Sequence, residues 1–249
     1  MEKKFATMKT RTKIFFILWI ATILSAILVL PYVYSVQHAV LTEAGITFTA
    51  LILLALIQGG VTFGIASYFG LILAEKTGFK LPLLTSWIEN KGIEYKKTLW
   101  ISVMLGLVAG VLIFITDKFI FWQSVLSVTN VEPWQGFLAS FYGGIAEEVL
   151  MRLFLMSLFV FILNKIFKRK ESPAIVWLSI IIISVLFGLG HLPITASVMD
   201  ITPLVILRAI LLNGIGGVIF GWLYWKKGLE AAIIAHFSAD IVLHVIAAY

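Results

Sequence analysis

The stretch AIVWLSIIIISVLFGLGH at residues 174–191 holds no ionisable side chain until its last residue, His191. As an α-helix it rises roughly 26 Å from end to end, close to the roughly 30 Å of hydrocarbon that a transmembrane helix must cross. The segment therefore reads as a membrane span, and the rest of the chain repeats the pattern. The same rule places helices at 13–36, 45–74, 98–116, 137–164, 174–191, 203–224 and 228–247. The stretch 118–136 has too short an apolar part for a full span and reads as an interfacial helix or a half-inserted eighth one. The fold class is all-α, a polytopic transmembrane helix bundle of seven to eight spans. No internal repeat or linker divides residues 1–249, so they form one integral membrane domain.

Bulk composition agrees. Hydrophobic residues make up 61% of the chain and charged residues 13%, with a mean hydropathy of +1.04. Soluble domains are about half apolar and about a quarter charged, so this chain needs lipid as its solvent. The net charge of +6 does not indicate nucleic acid, because the basic residues stand in short clusters between apolar runs and build no phosphate-binding face. There is no cysteine, which excludes disulfides, thiolate metal sites and a cysteine nucleophile. The first apolar run, to about Val36, is too long for a secretory signal and reads as a retained span.

Lysines and arginines cluster at 3–13, 76–97, 165–170 and 226–227. These are every second junction, as the positive-inside rule requires, with Lys118 the clearest exception. The expected location is the cell membrane with the N-terminus cytosolic. The lysine-rich segment 75–97 is then a cytosolic loop. Glycines recur on the later helices, at 143, 144, 188, 190, 214, 216, 217 and 221. They read as small residues that let helices approach within one bundle.

Several polar residues stand where lipid should exclude them. Glu147, Glu148 and Arg152 lie inside the fourth span, and each ionised group near a helix centre costs roughly 2.5–3.5 kcal/mol on insertion scales. Glu148 and Arg152, at i and i+4, share a helix face and can pair. Glu147 is turned about 100° away and left free for chemistry. His191 closes the fifth span just before Pro193. On the seventh, His236 and Asp240 share a face, with His244 continuing it nearer the end. Arg208 reads as a snorkelling residue and His38 as a loop residue. Three helices thus supply a free carboxylate, two imidazoles and a further carboxylate. A carboxylate and a histidine that share a water make a general base for hydrolysis. A second histidine can stabilise a developing oxyanion. Alternatively, Glu147, His191, His236 and Asp240 could bind a divalent metal such as zinc that activates the water.

In order and spacing, Glu147-Glu148-x-x-x-Arg152, Phe187-x-x-x-His191 and His236-x-x-x-Asp240 resemble the motifs of the CPBP family. These are the type II CAAX prenyl endopeptidases and bacteriocin-processing proteases, also called the Abi family. The stretch from Asn213 to Tyr224 is similar too, and the resemblance covers about residues 137–245, the expected catalytic core. It implies an intramembrane endopeptidase, in a family that bears the name metalloprotease. In it, Glu147 and His191 position the attacking water, His236 and Asp240 support the transition state, and Glu148 and Arg152 brace the first motif. Asp240 stands where many members carry asparagine. The implied partners are the lipid bilayer and a peptide or membrane-protein substrate, whether prenylated or bacteriocin-like. Two other classes compete: a proton-coupled transporter using the buried acids and histidines as a relay, and a non-catalytic bacteriocin-immunity or scaffold protein. No HExxH, GxGD or rhomboid-like GxSG motif is present.

Counting depth from the basic flanks, Glu147 and His191 lie at similar levels, but His236 lies only about 12 Å from Gly228. A shared site therefore requires the turn at Trp225–Gly228 to be drawn into the membrane while the fourth and fifth helices project beyond it. That places the site near mid-membrane, in a water-filled cavity.

Overall fold

Prolines and polar caps set the helix boundaries, and the apolar runs between them set the helix lengths. The computed structural model describes residues 8–121, 131–169 and 172–247, and among these there is helix and no strand. Seven helices are long and apolar enough to cross a membrane: α1 Met8–Val36, α2 Phe48–Thr77, α3 Lys96–Ile120, α4 Pro133–Ile166, α5 Pro173–Ala196, α6 Pro203–Lys227 and α7 Leu229–Ile246. The chain is a multi-pass membrane protein with seven candidate spans. The boundaries depart from the hydropathy reading where local chemistry extends a helix. Thus α4 begins at Pro133 because Glu132 and Gln135 form a capping box around a proline already fixed at helical φ. The expected interfacial helix or eighth span at 118–136 is divided. Its start belongs to the end of α3, its finish begins α4, and 122–130 lie outside the described residues.

Caps show the same logic elsewhere. The Thr47 hydroxyl accepts from the Ala50 N–H at the start of α2, and Gly78 closes that helix in the left-handed conformation. The Thr202 hydroxyl accepts from the Val205 N–H ahead of Pro203. α5 runs to Gly190, turns at His191 and finishes with a short turn of helix, Leu192–Ala196.

All the expected basic clusters that fall among described residues lie at one end of the bundle, called here the basic end. α4 packs against α1, α2, α5 and α7, while α7 packs against α3, α4 and α6. These two helices therefore form the inner pair that carries the unusual polar residues. The glycines serve as packing residues within one chain. Gly188 faces the backbone of α6, and Gly217 and Gly221 face Ser184 and Ile180 of α5. Arg208 does not snorkel: its Nε and Nη2 donate to the two carboxylate oxygens of Asp117 at 2.6 and 2.7 Å, joining α6 to α3. A geometrically matched partner displaces the longer reach to water.

The turn between α6 and α7 is roofed over. The Leu229 N–H donates to the Lys80 carbonyl at 3.1 Å, and the Leu84 N–H donates to Glu230 Oε1 at 2.9 Å. Both acceptor and donor segments belong to 75–97, which reaches back over the turn through the short helix Pro82–Ile88. Gly228 sits at φ +104°, and a Cβ there would meet Lys80 and Pro82. Burial first, and the Glu230 carboxylate second, push the Tyr95 hydroxyl at the edge of this roof above its ordinary range.

Candidate active site

Both glutamates of α4 lie where the helix widens into π-helical turns, Tyr142–Glu147 and Val149–Met156. Such turns are rare and concentrate at functional sites. Glu148 is 0% exposed and Arg152 1% exposed, and the guanidinium Nη1 stands 3.0 Å from Glu148 Oε1. That contact is an ion pair without hydrogen-bond alignment, since Nη1 has no hydrogen-bond partner. The guanidinium also lies over the Phe187 and Phe220 rings, at 5.0 and 5.6 Å, and its Nη2 donates weakly to the Gly217 carbonyl at 3.4 Å. An aromatic cage of this kind attracts a desolvated cation through the ring quadrupoles.

The same Glu148 oxygen meets His236 Nδ1 at 2.7 Å. An ionised carboxylate only accepts, so Nδ1 carries the proton and donates. In the neutral ring Nε2 is then a free base, and it points toward two further carboxylates. Glu147 Oε2 and Asp240 Oδ1 each stand 3.7 Å from it. That is beyond a direct hydrogen bond and within the span one water bridges. Phe220 stacks on the imidazole at 4.6 Å, fixing its plane.

Gly143 makes this convergence possible. A Cβ at that position would collide with Asp240 Oδ2 and crowd His236 Nε2. α4 and α7 thus touch through a backbone with no side chain between them. Glu147 is the most open carboxylate of the group, with 22% of its side chain exposed.

His191 is brought to the same neighbourhood without touching the cluster. Its Nδ1 donates to the Phe187 carbonyl at 2.8 Å, and its ring packs edge-on to Phe187 at 4.9 Å. The other histidine meets the same phenylalanine edge-on at 5.7 Å, so Phe187 stands between the two imidazoles. His244 is half-buried and packs edge-on to Tyr32 of α1 at 5.5 Å. His38 is exposed and bonded to Thr42.

The pairing of Glu148 with Arg152 follows the expected i, i+4 geometry. Sequence reasoning missed that Glu148 also holds His236, and that Phe187 and Phe220 cage the charges. Both phenylalanines lie inside stretches already singled out, but aromatic residues are too common in spans to signal a cage by type alone. The donor set does not assemble a metal site: among the described residues no group of three or more His, Cys, Asp or Glu could hold a metal ion. Arg152, 3.0 Å from Glu148, adds positive charge close by, which opposes a further cation. The expectation of a metalloprotease has no support in this geometry.

The fold and the site together define a polytopic membrane protein with an acid–histidine cluster enclosed inside its bundle. Residues 129–242 match the family model described as type II CAAX prenyl endopeptidase Rce1-like. The chain carries a domain of that CPBP family, and the matched region contains all three motifs. Comparisons with curated proteins and with solved structures gave no match.

Proposed function

We propose that this protein is an intramembrane endopeptidase that hydrolyses a peptide bond with a water activated by histidine and glutamate. The observation that carries the reading is the relay from Arg152 through Glu148 to His236, whose free Nε2 faces Glu147 and Asp240. Membership of a protease family supports it.

In this mechanism Glu147 holds the water and His236 Nε2 removes its proton as the oxygen attacks the carbonyl carbon. Glu148 stabilises the imidazolium that forms, as a buried carboxylate does for a histidine base. The C–N bond then breaks and His236 returns the proton to the leaving amine. His191 faces the reacting carbonyl from beyond Phe187 and, when protonated, donates to the oxyanion. Asp240 turns the water toward the ring. Arg152 supplies the opposing charge that Glu148 needs in its buried surrounding.

Purified protein in lipid nanodiscs, given internally quenched peptides and membrane-protein substrates, tests the reading. Cleavage that disappears in Glu147→Gln and His236→Ala protein of normal yield is the expected result. Cleavage unchanged in both variants would remove the cluster from any proteolytic role. Proton uptake coupled to solute entry, without cleavage, would favour the transporter class instead.

A further inference from the structure

At the basic end a cavity of about 380 Å³, sharing no residue with the acid–histidine cluster, lies between the roof, the last turn of α6 and the first turn of α3. Small-molecule sites occupy roughly 300–1,000 Å³, so the size suffices for a headgroup-sized ligand. Its lining brings Lys80 of the roof together with Lys226 and Lys227 of α6. None of these three lysines pairs with a carboxylate among the described residues. Lys226 Nζ stands 3.4 Å from the centre of the Trp225 ring, which positions its charge without neutralising it. From α3 come Tyr95 and Thr98. The Tyr95 hydroxyl is buried and has no hydrogen-bond partner. No side chain caps α3, so its first-turn N–H groups are further donors. The acid in the lining, Glu94, is exposed, and the nearby Glu230 accepts from the Leu84 N–H through Oε1. Three ammonium groups and a buried hydroxyl make the cavity cationic on balance and rich in donors. They complement an anion with several acceptor oxygens, as a phosphate has.

Tryptophans set the level of this cavity. Trp87, Trp100 and Trp177 are exposed, on the short roof helix and within the first two turns of α3 and α5. Trp177 meets Trp225 of the cavity lining edge-on at 6.2 Å. Exposed tryptophans gathered at one end of a bundle mark the membrane–water interface, where phospholipid headgroups lie. A phosphate at that level is supplied by the bilayer itself, and basic pockets between spans hold anionic headgroups there.

We propose that this cavity binds the phosphate of an anionic phospholipid from the leaflet at the basic end, with Lys80, Lys226 and Lys227 as counter-charges and Tyr95 as a hydroxyl donor. The headgroup fastens the roof to α3 and α6, adding to the Leu229–Lys80 and Leu84–Glu230 hydrogen bonds. This goes beyond the protease reading and does not depend on turnover.

The test uses the full chain in nanodiscs of phosphatidylcholine, alone or mixed with phosphatidylglycerol or phosphatidylethanolamine, with native mass spectrometry and thermal unfolding as readouts. Phosphatidylglycerol is expected to stay bound and to raise the melting temperature; phosphatidylethanolamine and free glycerol phosphate are expected to do neither. Lys80→Gln, Lys226→Gln and Lys227→Gln together are expected to weaken retention about a hundredfold, the combined effect of three lysines beside an anionic headgroup. Tyr95→Phe removes one buried oxygen and is expected to weaken it by a smaller factor. That variant carries the test should the triple one fail to accumulate. Lys91→Gln, Lys165→Gln and Lys168→Gln together, all basic-end lysines outside the cavity, are expected to leave retention as it is. Equal losses from the two triple variants would reduce the effect to surface charge and overturn the proposal. Glycerol phosphate bound as tightly as the lipid, or a preference for phosphatidylethanolamine, overturns it as well. So does retention unchanged by Tyr95→Phe or by the triple substitution in the cavity.

Discussion

At the scale of single residues, Glu148 has the most demanding position, since it is fully buried and faces a cation and an imidazole at once. Arg152→Ala strands that carboxylate, and a broken buried pair of this kind costs roughly 3–5 kcal/mol. The variant is expected to accumulate poorly in membranes, and adding Glu148→Gln is expected to restore its yield without restoring activity. A double variant no better than the single one would show that the pair does not hold the fold. Glu147→Gln and His236→Ala act on chemistry instead: removing a water-activating group typically lowers the rate by about 10²–10⁴, with thermal stability in detergent near that of the parent. The three motifs and the Glu148–Arg152 pair were legible in the sequence, because helical spacing fixes which side chains share a face. The contact between Glu148 and His236 was not. It joins residues on different helices, and no periodicity within either helix encodes the distance across the gap.

At the scale of helices, the approach of α4 to α7 depends on Gly143. Gly143→Ala pushes a methyl group against Asp240 and His236, so activity is expected to fall far more than yield. Equal losses of both, measured by cleavage assay and fluorescence-detected chromatography, would make Gly143 a folding residue only. Gly228 plays another part: its backbone, φ +104° and ψ 171°, lies in a region essentially reserved for glycine, where other residues cost about 1–3 kcal/mol. Gly228→Ala is therefore expected to lower the melting temperature and expose the Leu229 amide to hydrogen exchange. An unchanged exchange rate there would mean that the roof tolerates a shifted turn. The seven spans were readable from hydropathy because length and composition decide membrane crossing. The π-helical turns around Glu147 and the doubling-back of 75–97 over Gly228 were not, since both arise from packing between elements.

At the scale of the whole molecule, the bundle holds its least hydropathic span, α7, against α3, α4 and α6. Asp117 and Arg208 fasten the end away from the basic clusters, and because each retains about a fifth to a quarter of its side-chain exposure, Asp117→Asn is expected to destabilise less than Arg152→Ala in the same thermal-shift measurement. A larger loss would place that pair in a drier setting than its exposure implies. α7 is the shortest and least hydropathic of the seven spans, half of its window is buried inside the protein, and it contains Glu230, His236, Asp240 and His244. Ionisable residues near the middle of a helix oppose its partition from the translocon into lipid. The tight Gly228 turn offers a remedy during synthesis: α6 and α7 can leave the ribosome-bound channel as one helical hairpin, the polar strip of α7 shielded by its predecessor. In a glycosylation-mapping reporter, α7 alone is expected to integrate poorly and the α6–α7 hairpin well, so that the chemistry which makes a site also dictates the order of its own assembly.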